Sequence, residues 1–159
     1  MHKLLILVLL ALKGEAAEVL PLVPDDVRAC LQVFDPKFEV TVDLNINPFY
    51  LRADLDGDRI ADYVLFIGKP DWPKKKVEIL ICSSRRGPVT LSGEDSYSLN
   101  WEVLNARQMK KFDFWRHRKI RGEVVMILWE DSSKYIYWDG RTFAISPRIV
   151  DPMLKASGS

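Results

Sequence analysis

Histidine is nearly absent from this sequence: among 159 residues only His2 and His117 carry an imidazole. That removes histidine-cluster metal sites and leaves a single histidine for any histidine-based triad. Cysteine is as sparse, at Cys30 and Cys82 alone. Excess charge is missing too. The formal net charge is +1, which argues against bulk binding to nucleic acid or to an anionic membrane. There is no G-x-S-x-G elbow, no phosphate-cradling glycine loop and no dinucleotide fingerprint. No segment repeats at any period. The longest apolar run, Leu4–Leu12, falls short of the roughly 20 residues that span a bilayer.

That run belongs to the first feature that is present. Lys3 precedes it, Lys13 ends it, and Gly14-Glu15-Ala16 offers small residues at a cleavage site. This is the grammar of a secretory signal peptide over residues 1–16, cut after Ala16. An N-terminal anchor or a buried helix is the alternative. No cysteine closely follows the run, so a lipoprotein-type anchor is not expected. Lys3, Lys13 and Glu15 leave with the peptide, so 23 basic and 22 acidic residues become 21 of each. What remains is one domain over 17–152 with a flexible tail at 153–159, secreted or periplasmic, with no membrane insertion after cleavage. In such a compartment Cys30 and Cys82 can form a disulfide; two buried thiols are the other reading.

The rest of the chain predicts an α+β fold, mainly antiparallel sheet folded as a sandwich or half-barrel, with one N-terminal helix. Asp25-Asp26 suits a helix start, and Val27, Cys30, Leu31 and Phe34 share one face before Asp35-Pro36 stops it. The period then becomes two at Phe38–Val42. Further strands are expected at Phe49–Ala53, Tyr63–Ile67, Val77–Cys82, Pro88–Leu91, Ser98–Leu104 and Glu123–Trp129. Asp139-Gly140 marks a hairpin between Lys134–Trp138 and Thr142–Ile145. Arg107–Arg121 has no clean period and reads as an exposed connection or irregular edge.

One segment carries chemistry. Asp54, Asp56, Asp58 and Asp62 stand at positions 1, 3, 5 and 9 of a loop, with Ile60 at position 7 offering its carbonyl. Four carboxylates so close repel one another without a cation, and the irregular oxygen set suits calcium better than magnesium. The pattern D-L-D-G-D-x-x-x-D followed by Y-x-L-x-I resembles the calcium loops of the FG-GAP and VCBS-repeat families, here in a single copy as in small secreted bacterial proteins. The resemblance covers about fifteen residues and implies a bound calcium ion. It is not an EF-hand, because Leu65 stands where that motif needs a bidentate glutamate. Arg59 occupies the position where the family pattern has glycine, and Gly57 comes two residues early. A left-handed arginine there costs roughly 1 kcal/mol. Its charge weakens the calcium site, or replaces the metal by pairing with an aspartate. A solvated acidic turn is the third reading.

Lys110, Lys111, Phe112, Phe114, Trp115, Arg116, His117 and Arg118 form a basic-aromatic stretch. It is either a binding surface for an acidic partner, a glycan or a nucleic acid, or an edge whose rings face the core. Glu94, Asp95, Glu102, Glu130 and Asp131 are the carboxylates available for hydrolysis, with nothing in their spacing to pair any two. The expected function is an exported, calcium-stabilised, non-catalytic binding domain that contacts another protein or a cell-wall component. Inhibitor and immunity proteins are examples. The alternative is a secreted hydrolase acting on polysaccharide or peptide.

Overall fold

Apolar runs such as Tyr63–Ile67 have no polar face, so a strand made from them must be covered on both sides. The computed structural model shows how this is done. It describes residues 22–37, 39–44, 46–68, 76–95, 100–112, 115, 120–129 and 132–150, with backbone alone at 76 and 92–95. The segments expected to be a signal peptide (1–16) and a tail (153–159) lie outside the described residues.

Helix α1 spans Asp25–Phe34. The first sheet contains β1 (Thr41–Val42), β2 (Tyr50–Ala53), β3 (Asp62–Gly68), β4 (Lys76–Ser83) and β5 (Gly87–Asp95). The second contains β6 (Asn100–Leu104), β7 (Val124–Leu128), β8 (Ser132–Trp138), β9 (Phe143–Ile145) and β10 (Ile149–Val150). Every pairing is antiparallel. β1 and β2 share one flank of β3, and β9 and β10 share one flank of β8. The result is a sandwich of two five-stranded sheets.

Alternation along each strand builds the layers. Val64, Phe66, Ile79 and Ile81 of the first sheet meet Trp101, Val125, Ile127 and Ile136 of the second in the central core. Leu65, Ile67, Leu80 and Cys82 point to the opposite side, where Val27 and Leu31 of α1 cover them. On the outside of the second sheet, Leu104, Val124, Met126 and Tyr135 pack with Met109 and Trp115 from the segment after β6. The middle of each sheet is thus covered on both faces, while Arg52, Thr90 and Glu102 on the bordering strands stay exposed.

Several expectations shift. The strand expected at Phe38–Val42 is regular only at Thr41–Val42, because Asp35 Oδ2 accepts the Val40 N–H at 2.6 Å and bends the entry. β5 runs on past Leu91 to Asp95. Its register with β4 shifts between Val77 and Ile79. A second helix, α2, spans Ala106–Met109 inside the segment expected to be irregular. Asn105 and Gln108 form its capping box: Asn105 Oδ1 accepts the Gln108 N–H at 3.0 Å and Gln108 Oε1 accepts the Asn105 N–H at 2.9 Å.

The expected hairpin forms at Asp139-Gly140, with Gly140 at φ 102°. Asp139 Oδ1 accepts the Arg141 and Thr142 N–H groups at 2.7 and 2.8 Å. These bonds, that from Thr142 foremost, hold the Asp139 carboxyl below its ordinary value. Its contribution to the turn is therefore present above the usual aspartate range and lost as pH falls through the depressed value.

Cys30 of α1 is bonded to Cys82 of β4 across a sequence separation of 52. Replacing both by alanine should lower stability by about 2–4 kcal/mol in urea unfolding, because the unfolded chain regains the freedom of a long loop. An unchanged midpoint would show that packing alone holds α1 on its sheet.

Candidate metal centre

Ala53 at the end of β2 pairs with Asp62 at the start of β3, so residues 54–61 form the hairpin connection. The aspartates of that connection organise its backbone. Asp54 Oδ1 accepts the Asp58 N–H at 3.0 Å, and Asp54 Oδ2 accepts the Arg59 N–H at 3.0 Å. Asp56 Oδ1 also accepts from Asp58, and Asp58 Oδ1 accepts the Ile60 N–H at 2.7 Å. The chain therefore coils around its own carboxylates. One oxygen from each of Asp54, Asp56 and Asp58 lies within 4.8 Å of the others. Calcium binds oxygen at about 2.3–2.6 Å, so ligands on opposite sides of an ion stand about 5 Å apart. The three oxygens fit within that span.

The connection is seated on the second sheet. The Asp54 N–H donates to Glu123 Oε2 at 2.8 Å, and the Glu123 N–H returns a bond to the Asp54 carbonyl at 2.6 Å. Two glycines permit this approach. A Cβ on Gly57 would stand 2.5 Å from the Arg121 carbonyl oxygen, and one on Gly122 would overlap the carbonyls of Asp54 and Leu55. Gly57 also takes φ 76°, which glycine adopts without strain.

Asp62 does not join the cluster. It is fully buried, and its oxygens accept the N–H groups of Leu55 at 3.1 Å and Ser84 at 3.0 Å. Burial raises its pKa and those two backbone bonds counteract the shift. Its position at the first residue of β3 turns the side chain inward, so it braces the loop from beneath. Ile60 is 53% exposed on the rim.

The expectation for Arg59 divides. It adopts the left-handed conformation that position 6 demands, at φ 71°, and its side chain is exposed. The cation that pairs with an aspartate is instead Arg85, from the turn between β4 and β5: its Nε stands 2.5 Å from Asp58 Oδ2. The Asp58 side chain is 5% exposed and that of Arg85 63%. Ser84 Oγ reaches the same Asp58 oxygen at 3.5 Å. No local pattern marked Arg85, because two strands, β3 and β4, separate it from Asp58 in sequence.

In the basic-aromatic stretch, Lys110 and Lys111 are exposed and Phe112 is half-buried. Trp115 is 2% exposed, and its ring meets Tyr135 and Tyr137 edge-on at 5.4 and 4.8 Å. Its indole is core packing, which corrects its place among the candidate binding residues. Phe114, Arg116, His117 and Arg118 lie outside the described residues. Of the hydrolysis candidates, Glu102 is exposed on β6, while Glu130, Asp131 and the side chains of Glu94 and Asp95 also lie outside them.

No family model, no curated protein and no solved structure matches the chain. Among the described residues no helix is long and apolar enough to cross a membrane.

Bracing and ligation separate experimentally. Asp62→Ala orphans the Leu55 and Ser84 N–H groups and should lower stability by about 1–3 kcal/mol in EDTA. Gly122→Ala should cost about 1–3 kcal/mol through overlap with the loop carbonyls. Thermal melting checks both, and a neutral Gly122→Ala would show that the crossing can open.

Proposed function

We propose that this protein is an exported, non-catalytic binding domain that contacts another protein, and that one calcium ion in the 54–60 connection stiffens it. Proteins that inhibit or neutralise exported toxins and cell-wall enzymes are examples of this class. The observation that carries the metal is the convergence of the Asp54, Asp56 and Asp58 oxygens within 4.8 Å. Those three residues and the Ile60 carbonyl would hold the ion, with water completing its shell. The bound ion would supply fixed positive charge and rigidity at the loop.

Export is supported by the leader and by the Cys30–Cys82 bond, since such bonds persist in oxidising compartments. A binding role is supported by the covered middle of both sheets, which places the exposed charged side chains of 54–61, 84–86 and 139–142 at one end of the sandwich. Arg85 competes with the ion for Asp58.

The test is calorimetric melting of the chain lacking residues 1–16, in EDTA and then in calcium or magnesium. Calcium at a hundredfold excess over its dissociation constant should add about 2.7 kcal/mol. Magnesium should add less, and Asp56→Ala should abolish the response. A midpoint indifferent to calcium overturns the metal. Arg85→Gln removes a positive charge from Asp58 and should tighten calcium binding about tenfold in isothermal titration. An unchanged affinity would show that Arg85 and the ion do not compete.

A further inference from the structure

Four connections meet at the end of the sandwich that carries the aspartate loop. The 54–61 connection touches Arg121 through Gly57. The β4–β5 turn touches that connection through Arg85 and Asp58. The same turn reaches the β8–β9 hairpin through Arg86, whose Cζ lies 4.2 Å from the centre of the Trp138 ring. Arg141 sits in that hairpin, its N–H bonded to Asp139. Where they meet, at 54–61, 84–86, 121–123 and 139–142, these connections carry Arg59, Arg85, Arg86, Arg121 and Arg141, all five exposed, and no lysine. Arg59 and Arg121 form no ion pair among the described residues.

We propose that these five arginines form the docking surface of the domain and that its partner is a protein presenting an acidic surface. This deepens the binding reading and rests on it. Two features select a protein over a uniform polyanion. The cations are all arginine, whose planar fork pairs bidentately with carboxylates and which is enriched at protein interfaces, where lysine is depleted. They also alternate with the loop aspartates, Glu123 and Asp139, which would repel the unbroken negative charge of a nucleic acid or a sulfated glycan. A partner whose carboxylates are patterned, with gaps or basic groups between them, meets both signs. Arg86 is already ordered over Trp138, so less freedom is lost when it binds.

The experiment titrates the protein in EDTA with a peptide whose glutamates are spaced by serine and lysine, so that a failure of calcium binding leaves this surface independently tested. Heparin and a short DNA duplex are titrated in parallel. The readout is affinity together with the shifts of backbone and arginine N–H signals in NMR spectra. The wild-type protein should bind the peptide in preference to both polyanions, with shifts centred on the four connections. Arg59→Ser, Arg121→Ser and Arg141→Ser combined should weaken peptide binding about tenfold or more. Removing as much charge toward the opposite end of the sandwich, with Lys37→Ser, Lys76→Ser and Lys134→Ser, should change it less than about twofold. Equal losses in both variants, no peptide binding by the wild-type protein, or tighter binding of heparin or DNA through the same arginines would each overturn the proposal.

Discussion

The loop end of the sandwich depends on one backbone crossing, where the chain at Asp54 and Leu55 passes directly over Gly122. Reciprocal bonds between Asp54 and Glu123 lock the crossing, and the absence of a side chain at Gly122 allows it. Because the two segments belong to different sheets, the crossing fixes more than a loop. It sets how the first sheet meets the second at this end, and it holds the first aspartate of the cluster against a rigid neighbour. Asp62 performs the same service from below, tying the connection to the turn that carries Arg85. The acidic oxygens therefore converge on a frame built mostly from backbone.

That frame holds two opposed tendencies. Carboxylates gathered at the surface raise one another's energy unless a positive charge joins them. The structure shows one partial answer in Arg85, which is itself well exposed and so contributes modestly to stability. A divalent ion is a more compact answer, since a single centre can satisfy several oxygens at once. An ion at the proposed site would draw on Asp58, as Arg85 already does, and would couple the state of the loop to the freedom of the adjoining arginine turn.

Much of this architecture was legible in the sequence because it follows from short periods. The apolar run in Val77–Cys82 and the Asp139-Gly140 turn depend on neighbours only, and the aspartate spacing located three converging carboxylates in the same way. Asp62 was harder to place. Its role comes from two N–H groups, one of them on Ser84, that have no signature near residue 62. Arg85 was invisible for the same reason. The segment after β6 was legible in part and read too coarsely. Asn105 and Gln108 carry the spacing of a capping box, and Met109, Phe112 and Trp115 recur at intervals of three, as rings on one helical side do. The abundance of cations around them suggested an exposed strip, whereas the described aromatics close the outer face of the second sheet.

One flank of each sheet is interrupted, by β1 and β2 beside β3 and by β9 and β10 beside β8. The longest remaining border, β5, carries Pro88, which has no N–H to offer, and loses register with its neighbour between Val77 and Ile79. A growing stack of strands needs a straight, unbroken row of donors and acceptors to copy, and these borders present short, kinked ones. A protein built mainly of sheet thereby offers neighbouring copies of itself little to polymerise on.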